Sequence, residues 1–70
     1  MNYGERIALL RDNKQLTQQE LANIVGITRA ALSHYENNRR KPDYQVIRNI
    51  ADYFQVSVDY LIGRTNQLEE

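Results

Sequence analysis

Residues 18–35 have the sequence QQELANIVGITRAALSHY, and this stretch decides the fold of the chain. Its pattern predicts two short helices joined by a tight turn at Val25, Gly26 and Ile27, because glycine readily adopts the left-handed backbone that ends a helix. Small and apolar residues fall at helical spacing where the two helices would have to cross closely. These residues are Leu21, Ala22, Val25, Gly26, Ile27, Leu32 and Tyr35. The stretch therefore predicts a rigid two-helix corner.

The second helix of this corner also has a face that no apolar partner covers. Its residues are Thr28, Arg29, Ala30, Ser33 and His34. An exposed helix face on a rigid corner is what a helix-turn-helix presents to the major groove of DNA. Residues 18–37 are therefore predicted to form a helix-turn-helix whose second helix reads DNA.

The rest of the chain has the pattern of further short, capped helices. The predicted helices cover residues 3–13, 18–25, 29–37, 44–54 and 58–62. Thr17 and Glu20 are spaced as a capping box, and Thr28, Asp43 and Ser57 each stand where an N-cap is expected. Capped helices with short connections, and no strand-like alternation, predict an all-α fold, a compact five-helix bundle.

Length and composition limit the classes of protein that this chain can belong to. Seventy residues make one domain, which we place at residues 1–63, followed by a polar tail at 64–70. The chain has no cysteine and one histidine, so we expect neither disulfides nor a metal site. No apolar run approaches the roughly 18 residues of a membrane span, and the N-terminus lacks the form of a signal peptide. We therefore expect a soluble, cytoplasmic protein with no catalytic residues, cofactor or small-molecule ligand.

The charges are balanced in number but not in position. Nine basic and nine acidic residues give a formal net charge of zero, which argues against a simple polybasic nucleic-acid binder. Residues 29–48 nevertheless hold five basic and two acidic residues, whereas residues 49–70 hold one basic and four acidic residues. The run Arg39-Arg40-Lys41 is compatible with an ordinary solvated surface. Its position just after the exposed helix favours contact with DNA phosphates.

Two segments carry a resemblance to a known family. Residues 16–43, LTQQELANIVGITRAALSHYENNRRKPD, and residues 50–63, IADYFQVSVDYLIG, resemble the Cro/C1-type, Xre-like helix-turn-helix of phage repressors and bacterial regulators. The resemblance covers about residues 3–63 and implies a lambda-repressor-like five-helix fold. It also implies a bacterial or phage-encoded transcriptional repressor that binds a two-fold symmetric operator in double-stranded DNA, usually as a homodimer. Many members have glycine where this chain has Asn38, the residue next most tolerant of a left-handed backbone.

Four residues of the third helix are candidates for base contacts: Arg29, Ala30, Ser33 and His34. The guanidinium of Arg29 can bond O6 and N7 of guanine together, and the methyl of Ala30 suits the methyl of thymine. Ser33 can donate or accept at a base edge, and His34 can donate to guanine N7. For Arg29 the alternatives are a phosphate contact or an intrahelical pair with Ser33, and for Ser33 a phosphate contact. For Ala30 the alternative is a helix-favouring filler, and for His34 a phosphate contact or an ordinary surface histidine.

Six residues are expected at phosphates, where they add affinity without sequence information: Gln18, Thr28, Asn37, Arg39, Arg40 and Lys41. Gln18 begins the second helix, whose positive end suits an anion, and the resemblance implies that the matching glutamine holds the DNA backbone. The resemblance also implies a structural ion pair between Arg11 on the first helix and Glu36 at the end of the third.

The last predicted helix is dense in apolar residues. Val56, Val58, Tyr60 and Leu61 are candidates for a dimer interface, and the alternative is that all four serve the core. A rival function is a protein-interaction module or an antitoxin with the same fold. Such a module would be expected to lose Gln18, Arg29 and the basic run, and this chain retains all of them.

Overall fold

The computed structural model describes residues 2–64, and the predicted tail after Arg64 lies outside these residues. The described residues form five helices and no strand: α1 (Tyr3–Asn13), α2 (Gln18–Val25), α3 (Arg29–Glu36), α4 (Tyr44–Phe54) and α5 (Val58–Leu61). The all-α prediction is confirmed. Helices α3 and α5 each end one residue earlier than the sequence predicts.

Local side-chain caps determine where the helices begin. Thr17 Oγ1 accepts from Glu20 N at 3.0 Å while Glu20 Oε1 accepts from Thr17 N at 2.8 Å, which completes the predicted capping box. Asp43 Oδ1 accepts from Val46 N at 3.0 Å, and Ser57 caps α5 in the same way. Each cap accepts a hydrogen bond from a backbone N–H that has no acceptor within its own helix. Residues within four positions of one another therefore determine where each helix begins.

Left-handed residues end several of the helices. Gly26 has φ 79° at the end of α2, as predicted for the turn of the helix-turn-helix. Three other residues adopt a positive φ without being glycine: Gln15 at 56°, Asn38 at 59° and Gln55 at 58°. Asparagine tolerates this conformation better than most residues, whereas the two glutamines carry no sequence signal for it.

The core lies where all five helices meet. Helix α1 packs on α3 and α5, α2 packs on α3 and α4, and α4 packs on α5. The core residues are Ile7, Leu21, Ala22, Val25, Leu32, Ile47, Ile50, Ala51, Phe54 and Leu61. Leu61 is 0% exposed, so its assignment to a dimer interface is wrong. Leu61 is the buried residue of the four-residue helix α5, and it anchors this helix to the core.

Gly4 allows α1 to touch the end of α3. A Cβ at this position would lie 2.6 Å from the carbonyl oxygens of Tyr35 and Glu36 and 2.7 Å from Asn38 Oδ1. Two of these three atoms belong to the backbone, so they cannot swing aside as a flexible side chain would. The crossing of α1 and α3 therefore requires glycine at this position, which the sequence analysis did not detect.

Gly4→Ala is expected to lower the free energy of unfolding by about 2 kcal/mol, because the added methyl overpacks a contact with fixed backbone atoms. Urea unfolding followed by circular dichroism measures the change. Asn13→Ala, at an exposed position of the same helix, is the matched control and should have little effect. Equal stability of Gly4→Ala and the parent protein would contradict the close approach.

Candidate nucleic-acid interface

Helix α3 divides its side chains between the core and the surface. Leu32 and Tyr35 are buried, whereas Arg29 and Ala30 are exposed at the first turn of the helix. Ser33 and His34 lie one turn further along, where each is half-buried. The structure thus brings the four predicted base-contact residues, Arg29, Ala30, Ser33 and His34, to one exposed helix, and their contact with bases stays a prediction.

Among the described residues, no carboxylate forms an ion pair with the cations near α3. Within residues 2–64, the ion pairs engage Arg11, Arg48 and Arg64. None of them uses Arg29 or any of the three cations in the segment that follows α3. Those three residues, Arg39, Arg40 and Lys41, are exposed. Free positive charge therefore lies at both ends of the exposed helix.

Glu36 forms the predicted ion pair with Arg11 beneath this surface. Arg11 Nε donates to Glu36 Oε2 at 2.7 Å and Arg11 Nη2 donates to Glu36 Oε1 at 3.0 Å, a bidentate arrangement. The two side chains are only 15% and 5% exposed. Arg11 Nη1 also donates to the carbonyl oxygen of Leu16 at 2.8 Å. The hydrogen bond with Glu36 raises the pKa of Arg11 above its ordinary value, although burial opposes the shift. The pair therefore holds α1 against the end of α3.

Gln18 joins the same carboxylate from the start of α2. Its Nε2 donates to Glu36 Oε1 at 2.9 Å, and its side chain is half-buried. The sequence predicts a phosphate contact for Gln18 and carries no signal of its bond to Glu36, which joins residues 18 positions apart. One amide hydrogen is used by Glu36, and the second remains available to a phosphate together with the backbone donors of the helix end.

Two further predicted phosphate contacts have local roles in the structure. Thr28 Oγ1 accepts from Ala31 N at 3.0 Å and so caps α3. Its hydroxyl hydrogen is still able to donate outward. Asn37 is exposed, and its Nδ2 donates to the carbonyl oxygen of Ser33 at 2.9 Å. Both residues lie at the ends of α3, and their contact with phosphates stays a prediction.

Helix α1 also contacts the segment that follows α3. Tyr3 Oη donates to the carbonyl oxygen of Arg40 at 3.1 Å, and Gly4 N donates to Asn38 Oδ1 at 3.2 Å. These bonds join residues 37 and 34 positions apart, and no short-range pattern signals them. The structure therefore ties the segment that contains Arg39, Arg40 and Lys41 to a helix that the sequence analysis did not connect with it.

The predicted dimer residues are not equally accessible. Val56 and Val58 are half-buried, and the Arg6 guanidinium lies 4.0 Å from the ring centre of Tyr60, so one face of that ring is occupied within the protein. An open groove of about 430 Å³ lies beside α5. Its apolar lining consists of Pro42, Tyr44, Ile47, Val58 and Ile62.

Between residues 2 and 64, no three histidine or carboxylate side chains are grouped so that they could hold a metal ion. In the same range, no helix has the length and apolar character needed to cross a membrane.

Two short helices, α2 and α3, are joined by a tight turn at Gly26, and the second of them has an outward face; this arrangement defines a helix-turn-helix protein. Comparison with known families agrees, because residues 7–61 match the family model described as helix-turn-helix. The chain belongs to the helix-turn-helix family.

The chain is similar to bacterial regulators and to a phage repressor. It is 42% identical over 66 residues to the HTH-type transcriptional regulator YqaE of Bacillus subtilis (strain 168), a match that covers 93% of this chain and 57% of that protein. It is 40% identical over 65 residues to the antitoxin PezA of Streptococcus pneumoniae serotype 4 (strain ATCC BAA-334 / TIGR4), covering 93% of this chain and 41% of that protein. The crystal structure of the P22 c2 repressor with a synthetic operator superposes with a TM-score of 0.84 at 29% identity, covering 89% of this chain and 94% of that one. The chain thus spans roughly half the length of these two sequence relatives.

Arg11→Met is expected to lower the free energy of unfolding by about 3 kcal/mol, because it leaves Glu36 as a buried carboxylate without its cation. The thermal midpoint should fall accordingly. The matched control is Arg48→Met, which breaks the exposed pair between Arg48 and Asp52 and should leave the midpoint unchanged. An unchanged midpoint in Arg11→Met would show that the pair does not hold the helices together.

Proposed function

We propose that this protein is a sequence-specific DNA-binding transcriptional regulator, and that it acts as a repressor. The observation that carries the proposal is the outward face of α3, which exposes Arg29 and Ala30 at its first turn and is followed by three exposed cations. Neither Arg29 nor these three cations has an ion-pair partner among residues 2–64. The similarity to the P22 c2 repressor, a structure that contains operator DNA, supports it. Repression would follow from occupancy, because a protein seated over a promoter excludes the polymerase.

In this proposal the exposed face of α3 enters the major groove. Arg29 bonds O6 and N7 of a guanine, which is worth about 1–3 kcal/mol of discrimination against another base. Ala30 contacts a thymine methyl. Ser33 and His34 contact base edges one turn further along the helix.

Phosphate contacts on both sides of the groove fix the register of α3. Gln18 is the first residue of α2 and Thr28 is the N-cap of α3. The helix dipole gives both of these N-terminal ends a partial positive charge. Asn37 and the residues that follow it, Arg39, Arg40 and Lys41, contact the other side. Because the net charge of the chain is zero, we expect weak non-specific affinity and a salt dependence set by this small number of phosphates.

We further propose that two copies bind one operator, with half-sites about one helical turn apart. The contact uses Val58 and the neighbouring groove, since Leu61 belongs to the core and one face of Tyr60 is covered. Most residues that line the groove are apolar, and Lys41 and Asp59 are among its charged lining residues.

The proposal includes no catalysis and places the protein in the cytoplasm of a bacterium, either as a chromosomal or as a phage-encoded regulator. The relatives support the bacterial setting, since YqaE is from Bacillus subtilis and PezA is from Streptococcus pneumoniae.

A second candidate function is that of an antitoxin, which the similarity to PezA favours. This chain corresponds to 41% of that protein, so toxin binding would need further residues or the α5 face. Co-purification of a stoichiometric second protein with the full-length gene product would support this function, whereas a chain that purifies alone would remove it.

Selection of bound sequences from random duplex DNA at moderate salt is the experiment that tests DNA reading. We expect a two-fold symmetric motif. The same selection with Arg29→Ala should lose information at one base position per half-site, because the guanine contact is removed. Arg48→Ala removes an exposed arginine of α4 and should return the parent motif. An enriched pool that stays random would overturn the proposal and favour a protein-interaction module.

Val58→Glu is expected to weaken binding to a duplex with two half-sites by about tenfold, because a charge then enters the apolar contact between the copies. Binding to a single half-site should not change. Leu9→Glu, which adds the same charge at an exposed apolar position of α1, is the control, and thermal midpoints verify that both variants fold. An equal loss on both duplexes would argue against the dimer contact.

A further inference from the structure

The segment that follows α3 is held in place by the first turn of α1. We name residues 38–41, with the sequence NRRK, the basic loop. Tyr3 Oη donates to the carbonyl oxygen of Arg40 at 3.1 Å, and Gly4 N donates to Asn38 Oδ1 at 3.2 Å. The loop is therefore tied at two points to a helix that carries none of the predicted DNA contacts.

Asn38 serves the ends of two helices at once. At φ 59° it closes α3, with Asn38 N donating to the carbonyl oxygen of Tyr35 at 3.1 Å and Arg39 N donating to that of His34 at 2.9 Å. Its side-chain oxygen meanwhile accepts from Gly4 N, a donor in the first turn of α1 that has no partner within its own helix. Glycine would adopt the same backbone with less strain, but it has no oxygen to offer Gly4.

The second hydrogen bond to the basic loop comes from Tyr3, whose ring cannot move freely. The ring packs against the hydrophobic core as a partly buried side chain, so its hydroxyl is presented at a fixed place. The acceptor is a backbone carbonyl in the middle of the basic loop. The bond therefore restrains the loop backbone and leaves the side chains of Arg39, Arg40 and Lys41 exposed.

We propose that Tyr3 and Asn38 are positioning residues for the phosphate contacts of the basic loop. They order the loop backbone in the free protein, so that less conformational entropy is lost when the three cations meet the DNA backbone. Helix α1 thereby adds to DNA affinity without touching DNA. This inference rests on the proposed function and assigns α1 a part in it.

Two conservative variants each remove one of the two hydrogen bonds to the basic loop and are designed to leave the fold intact. Tyr3→Phe removes one hydroxyl and keeps the packed ring. Asn38→Gly removes the side-chain oxygen and keeps a residue suited to a positive φ. Because phosphate contacts carry no sequence information, each variant should weaken binding to the selected operator and to an unrelated duplex by the same factor, about three- to tenfold for the loss of one hydrogen bond.

Tyr53→Phe is the matched control. It removes a tyrosine hydroxyl near the C-terminal end of α4, about 13 Å along the axis from the first residue of that helix at a rise of 1.5 Å per residue. We expect unchanged affinity for both duplexes. Amide hydrogen exchange supplies a readout that a general loss of stability would not reproduce. The amide of Arg39, which donates to the carbonyl oxygen of His34 at 2.9 Å, should exchange faster in both variants. The amide of Gly4 should exchange faster in Asn38→Gly, while amides of the core helices keep their protection.

The outcomes distinguish this inference from the proposed function. If the parent protein binds neither duplex, the proposed function fails and the inference fails with it. If the parent binds its operator and Tyr3→Phe and Asn38→Gly bind equally well, the proposed function stands and the positioning role is overturned. A loss confined to the operator would also overturn it, because that result would mean that the ties support base reading rather than phosphate contact.

Discussion

The carboxylate of Glu36 is the point on which the arrangement of the first three helices depends. It accepts from Arg11 of α1 through two hydrogen bonds and from Gln18 of α2 through a third, while it stands itself at the end of α3. Apolar side chains of similar volume would stabilise the fold equally well or better. They would not impose a direction, whereas a bidentate pair with a third donor allows one orientation of the three helices.

Helix α3 is also held at its C-terminal end by contacts that involve no charge. The missing side chain of Gly4 lets the backbone of α1 approach the carbonyl oxygens of Tyr35 and Glu36, and Asn38 closes the gap with a hydrogen bond to Gly4 N. At its start, Thr28 caps the helix after the turn at Gly26. With both ends held and one side buried in the core, the remaining face has a defined position, as reading a groove requires.

Sequence reasoning succeeds here where the cause is local. N-caps act over three or four residues, so Thr17, Asp43 and Ser57 mark helix starts that the structure reproduces. Sequence reasoning fails where a feature depends on contacts between residues that are far apart in the sequence. The bond between Gln18 and Glu36 and that between Tyr3 and Arg40 depend on how the helices cross. The assignment of Leu61 to a dimer failed for a related reason, since a short apolar helix has the same pattern whether it meets its own core or another copy.

The formal charge of the chain understates the charge near α3. Two acidic residues lie within residues 29–48, Glu36 and Asp43. Glu36 is 5% exposed and paired with Arg11, and Asp43 directs a carboxylate oxygen to the backbone of α4 as its cap. Both negative charges are therefore engaged within the protein, while Arg29 and the cations of the basic loop face solvent. A neutral protein can in this way present a positive surface. Because that surface has few charges, the proposed affinity for DNA would depend on where each charge is held more than on their number.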